Sequence, residues 1–330
     1  MVSKTFVLGA GFSLQAGFPL VRNLRQQVLD FIQNNNHPSW AQQCEPGFHG
    51  YPEGPFYTAF KSVDPEGLLG FEELLFKLRE RFLANNSKDP WFSNHRILRN
   101  ACGRLLWEKH AALANMPTPY RNFGYWMYEL HDLGLENAII SLNWDLVAER
   151  ALKECSVAWS YTIDSSVSIL KPHGSINWSN HLQKGLTSHF SGWQQISPNS
   201  PYCFIPQKPF FDPFDNGPGD NLRQMIFPGD PEDEQGVTQI WNEAAQAIRE
   251  RSAVVFIAYS LPDYDKTTMD FFCQHAEDKP VEVYVRSIET LERYRKLFPN
   301  VITKEPMSFE NCPYAQFPDE IPINPLLLKR

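Results

Sequence analysis

The sequence predicts an α/β fold: a doubly wound, mostly parallel Rossmann-like sheet with a helical insertion and a long irregular loop region. Three observations predict it. Short apolar and β-branched runs recur at 5–8, 138–142, 168–171, 253–257 and 281–285, near-continuous as strands buried on both faces require. Segments of helical periodicity separate them, the rhythm of a parallel sheet. The first run stops at Gly9-Ala10-Gly11, a glycine turn between strand and helix.

Taken in order, Thr5 to Leu8 form the first strand, and a helix runs from Leu20 to about Phe31. From Asn34 to about Gly70 the chain turns to Asn, Pro, Gly and aromatics, with Pro38, Pro46, Pro52 and Pro55 breaking regular structure, so this stretch is expected to be an insertion or lid. Phe71, Leu74, Leu75, Leu78 and Phe82 share one helical face, and Leu98, Ala101, Cys102 and Leu105 continue the pattern, making 71–133 a helical block. Strand 138–142 is followed by a helix from Asp145 to Lys153, and strand 168–171 ends at Pro172-His173-Gly174. Residues 180–235, rich in Pro, Gly, Asn and aromatics, read as an irregular loop insertion. Val237, Ile240, Trp241, Ala244 and Ile248 restore a helix. Strands 253–257 and 281–285 follow, and Ser287 caps a last helix carrying Ile288, Leu291 and Phe298. The expected domains are therefore 1–34 with 134–330 as the Rossmann-like domain, 35–133 as an inserted lid and helical subdomain, and 180–235 as the loop insertion.

Composition excludes several classes. The chain has 330 residues, 42% of them hydrophobic, enough for a large core. With 38 acidic and 30 basic residues its formal charge is −8, which gives no footprint for wrapping nucleic acid, and none is expected as a direct partner. Residues 1–8 carry one lysine and a four-residue apolar run, too short for a signal peptide or membrane span, so a soluble cytoplasmic protein is expected. The six cysteines are scattered, with no Cys-x-x-Cys pair, so no ribbon-type zinc site is encoded and no metal is expected.

In parallel sheets ligands bind outside the carboxyl ends of the strands. The first exit presents Gly9-Ala10-Gly11-Phe12-Ser13, where glycines admit a pyrophosphate and amides and Ser13 can donate to it. Leu14 departs from the dehydrogenase fingerprint and disfavours hydride transfer. The later exits present Asn143-Trp144-Asp145, His173-Gly174-Ser175 and Tyr259-Ser260-Leu261. Each has a plainer reading. A Gly-x-Gly is also an ordinary tight turn, Asn143 or Asp145 can simply cap a helix, and a His before Gly can be a turn residue. Asp263 and Asp265 read as caps of the helix that follows them, and the other eight histidines as structural.

Together these elements resemble the sirtuin superfamily. Gly9-Ala10-Gly11-Phe12-Ser13 with Gly17-Phe18-Pro19 and Arg22 looks like its opening signature, Asn143-Trp144-Asp145 like its Asn-x-Asp element, His173-Gly174 like its catalytic His-Gly, and Tyr259-Ser260-Leu261 like its late dinucleotide-binding turn. Lys171 to Trp178 and Phe256 to Asp265 resemble most closely the zinc-free prokaryotic branch associated with NAD depletion in phage defence. Two departures from the deacylases stand out: Leu20-Val21 replaces the Asp-Phe expected before the arginine, and Leu142 the Gln before the asparagine.

The resemblance implies NAD as substrate. Asn143 would sit near the nicotinamide ribose and its attacking water, Asp145 on the carboxamide, and His173 would be the general base. Gly9, Ala10, Gly11, Ser13, Pro19, Arg22, Tyr259 and Ser260 would bind the dinucleotide, and Arg286, with Ser287, is the candidate for the adenosine ribose. It further implies an NAD glycohydrolase acting as a defence effector, in homo-oligomers or with an ATPase or Argonaute-like partner. The alternatives are an idle NAD or ADP-ribose sensor and a protein deacylase or ADP-ribosyltransferase.

Overall fold

A computed structural model describes residues 2–34, 63–84, 91–163, 167–180, 193–197, 200–206, 222–225, 231–263 and 265–316. The expected lid up to residue 62, and His37, His49, His181 and His189, lie outside the described residues.

The protein is α/β. Strands β1 (Lys4–Leu8), β2 (Asn137–Ser141), β3 (Val167–Leu170), β8 (Ala253–Ile257) and β9 (Val281–Tyr284) form one parallel sheet in the order β3-β2-β1-β8-β9. Leu8 is flanked by Ser141 on one side and Ile257 on the other, so β1 is the centre. β2 and β8 are buried at every residue, which is why they read as unbroken apolar runs.

Helices cover both faces, and adjacent residues of β1 show how. Thr5 donates through Oγ1 to the Ala247 carbonyl (2.9 Å) in α6 (Pro231–Glu250). Phe6, pointing the other way, meets Phe123 of α4 (Thr118–Asp132) edge to face at 5.8 Å. Helices α7 (Lys266–Ala276) and α8 (Ile288–Leu297) pack on β8, where Phe256 meets Phe272 and Tyr294 at 5.2 and 5.0 Å.

The helical block divides into α2 (Phe71–Ala84), α3 (Trp91–Ala112) and α4. The expected apolar face of α2 is buried at Phe71, Leu74, Leu75 and Leu78. Before it, Asp64 accepts from Arg25 of α1 (Val21–Asn34) and from the amides of Leu68 and Leu69. Burial alone would raise its pKa, but the amides of Leu69 and Leu68 and the Arg25 guanidinium outweigh it and hold the carboxyl low.

The helix expected from Leu20 begins at Val21, and between it and the glycine turn lies a 3-10 segment, Ala10–Ala16, that ends at Gly17, whose φ of 86° suits glycine. Two expectations are corrected. Residues 180–235 are not irregular throughout, since β4 (Gly174–Asn180) pairs antiparallel with β6 (Ser200–Pro206) and β7 (Leu222–Met225), with β5 (Trp193–Ser197) at the edge, and α6 begins at Pro231. Backbone pairing overrides a composition rich in turn formers there. Ile288 is 54% exposed and contributes little to the face of α8.

Candidate active site

The strand order reverses direction between β1 and β8, and at that switch point the exits open into a cavity of about 550 Å³, within the size range of small-molecule sites. Its wall includes Ala10, Gly11, Arg22, Asn143, His173, Tyr259, Ser260 and Arg286, so eight of the sequence-derived candidates converge on one space.

The glycine turn is built for close approach of two strands. The Gly9 amide donates to the Ile257 carbonyl (3.0 Å) and the Gly11 amide to Ala258 (3.2 Å). A Cβ on Gly9 would lie 2.4 Å from the Tyr259 Cα, and one on Gly11 3.0 Å from the Ala258 Cβ. These glycines therefore let the β1 and β8 exits touch, a constraint that sequence reasoning assigned to a pyrophosphate. Ala258 itself has φ 54° and Leu261 φ 51°, both left-handed. Such conformations cost on the order of 1–3 kcal/mol each. From α8, Arg293 donates to the Ser260 and Leu261 carbonyls (2.8 and 3.1 Å), and Tyr294 donates to the Tyr259 carbonyl (2.9 Å). These bonds hold the strained turn.

Asn143 is buried and also forms part of the cavity wall. Its amide nitrogen donates to the Gly9 carbonyl (3.0 Å) and to Ser13 Oγ (3.2 Å). A carbonyl can only accept, so this contact fixes the amide's orientation. Asn143 Oδ1, with no hydrogen-bond partner among the described residues, is left for a ligand at the cavity wall.

His173 lines the same cavity. Its Nε2 lies 3.0 Å from Thr268 Oγ1 and 3.8 Å from Asp265 Oδ2, and its ring meets Trp241 edge to face at 5.9 Å. Asp265 also accepts from the Tyr259 hydroxyl (3.2 Å). Asp265 occupies the cap position of α7 without a side-chain cap bond, so the capping role expected for it is corrected: its carboxylate faces His173 and Tyr259 instead. Asp263 pairs with Arg293 at 3.2 Å.

Ser13 and Asp145 are buried behind the wall rather than part of it. Asp145 Oδ1 accepts from the amide of Val147 (3.0 Å), the first residue of α5 (Val147–Glu154), although Leu146 holds the cap position. Burial raises its pKa, while Lys171, that amide and the Ser13 hydroxyl pull the other way. Pro19 is half-buried and outside the wall, whereas Arg22 is exposed at its rim. Arg286 pairs with Glu310 at 2.8 Å, and Ser287 accepts from the Thr290 amide (3.2 Å), the cap expected of it.

Sequence reasoning missed Thr268, Trp241, Glu72, Glu73, Ser308 and Phe309. The last four line the cavity, and all six reach the site only through tertiary packing. Among the described residues no group of three or more His, Cys, Asp or Glu could hold a metal ion, and no helix is long and apolar enough to cross a membrane.

No protein-family model matches the chain, and no curated protein sequence is similar to it. Solved structures align over most of its length at low identity. One described as the structural basis for the mechanism and regulation of Sir2 enzymes has 12% identity and a TM-score of 0.40, covering 92% of this chain and 86% of its own. A Sir2 homologue–NAD complex has 14% identity and a TM-score of 0.38, with coverages of 87% and 79%. A third, on sirtuin substrate affinity, has 13% identity and a TM-score of 0.34, with coverages of 90% and 93%. The chemistry of the site rests on its own residues.

Proposed function

We propose that this chain is a sirtuin-type NAD glycohydrolase that converts NAD and water to nicotinamide, ADP-ribose and a proton. The observation that carries the reading is that a partnerless Asn143 Oδ1 and the His173 imidazole line one switch-point cavity. Breaking the N-glycosidic bond leaves positive charge on the ribose, and the leaving group departs neutral, so the protein need only position the sugar, place a water and accept one proton. Asn143 Oδ1 is suited to accept a hydrogen bond from that water or from a ribose hydroxyl. His173, as general base, takes the proton, and Asp265 at 3.8 Å meets the charge that then forms on the imidazole. The glycine turn, Arg22, Tyr259 and Ser260 would hold the pyrophosphate region, and Arg286 the adenosine end.

The motifs around His173 and Tyr259 further support a zinc-free defence effector that depletes cellular NAD in the cytoplasm, as a homo-oligomer or with an ATPase or Argonaute-like partner. The test is NAD consumption by the purified chain, with nicotinamide and ADP-ribose separated by chromatography, alongside Asn143→Ala and His173→Ala. Turnover in the wild type and in neither variant supports the proposal. Saturable NAD binding with no turnover in any form replaces it with a sensor.

A further inference from the structure

Beneath the chemical end of the cavity lies an ion pair that the proposed reaction does not itself use. Lys171 is 0% exposed and Glu149 1%, and their Nζ and Oε1 atoms are 2.9 Å apart. Lys171 Nζ also donates to the Asp145 carbonyl at 2.5 Å. Glu149 Oε1 accepts from the Tyr161 hydroxyl (3.2 Å), which in turn accepts from Asn177 (3.1 Å). Glu149 Oε2 is buried with no hydrogen-bond partner among the described residues.

For stability alone this is a poor arrangement. Desolvating two charges commonly costs more than their attraction returns, and an apolar pair of similar volume often does as well or better. A half-satisfied carboxylate worsens the balance. Such violations concentrate where function requires them. Lys171 stands two residues before His173, at the end of β3, and its ammonium reaches the backbone two residues after Asn143. The same two loops are joined by the Ile176 amide and the Ser175 hydroxyl, both donating to the Trp144 carbonyl (3.0 and 3.3 Å).

We propose that Lys171 and Glu149 are positioning residues for the reaction: their buried pair sets the spacing between the loop that carries Asn143 and the loop that carries His173. The proposal rests on the glycohydrolase reading. A base misplaced by about 1 Å can cost on the order of a hundredfold in rate, so a fixed link between these loops has a direct kinetic value.

The test uses the full chain as the double variant Lys171→Met/Glu149→Leu, and as Glu149→Gln, which keeps the shape and one acceptor oxygen but removes the charge. The double variant is expected to keep a cooperative melt, with KM for NAD within about threefold and kcat down about tenfold or more. Glu149→Gln should fall between it and the wild type. Wild-type kcat in either folded variant overturns the proposal while leaving the glycohydrolase intact. If the wild type itself turns over no NAD, the glycohydrolase fails and hydrogen exchange decides the positioning role. Faster exchange of amides 143–146 and 174–176, with the turn after β8 unchanged, supports it, and unchanged exchange at both overturns it.

Discussion

At the β2–β3 end of the cavity, Asn143 hangs from buried backbone, and the loops around it are tied together through Lys171, Ser175 and Ile176. At the β8–β9 end, Ser260 and Arg286 are exposed, and Arg286 pairs with Glu310 in contact with solvent. The first end spends stability on placement. The second holds its strained turn through backbone carbonyls and presents side chains that can adjust. The proposed glycohydrolase would need this asymmetry, because rate responds to displacement of reacting groups far more steeply than affinity responds to a rim contact.

The contrast breaks most sharply at His173. His173→Ala should lower kcat about 10²- to 10⁴-fold, the range for a general base, while the dissociation constant for NAD by calorimetry changes less than about threefold. Equal losses in both would make His173 a binding residue and erase the distinction.

Acid should damage the chemical end next. His110 is buried on α3, its carbonyl bonded by Arg150 of α5, and burial, with Arg150, Lys171 and Lys153 nearby, lowers its pKa to about 4. A folded-state value below the unfolded one means the neutral form is favoured by the fold, so stability is intact above the unfolded value of about 6.5 and is lost as pH falls toward 4. The loss attributable to this group is up to about 3 kcal/mol. Urea denaturation at pH 7 and pH 4.5 should show a drop in the wild type that is clearly smaller in His110→Phe.

Asp265 sharpens the comparison because it belongs to the β8 side by sequence and to the chemical end by contact. Asp265→Asn should reduce kcat roughly tenfold and spare KM, consistent with a loss of about 1.4 kcal/mol in transition-state stabilisation. A pure KM effect would assign it to binding. The smallest change is expected for Arg286→Ala, a rise in KM of about threefold with kcat unchanged, since an exposed ion pair is worth only about 0–1 kcal/mol.

Much of this asymmetry can be read in the sequence at one level and not at the next. Residues 253–257 announce a strand because a parallel strand buried on both faces leaves no room for polar alternation. Asn143 and His173 are recognisable because each follows such a strand. The antiparallel β4–β7 sheet is hidden, since its stability comes from pairing partners as distant as Gly174 and Met225 and its composition favours turns. Ala258 and Leu261 take left-handed backbone without the glycine that would signal it. The Asp265 carboxylate looks like a helix cap until Tyr259 and His173 are placed beside it, and the Lys171–Glu149 pair joins positions 22 residues apart that no periodicity links.

The central claim is that one cavity holds NAD with its scissile bond at Asn143 and His173 and its adenosine toward Arg286. A crystal structure of His173→Ala soaked with NAD tests it most directly. The account predicts the nicotinamide ribose within hydrogen-bond distance of Asn143 Oδ1 and the adenosine ribose beside Arg286. A dinucleotide bound in the reverse direction, or outside this cavity, would contradict it.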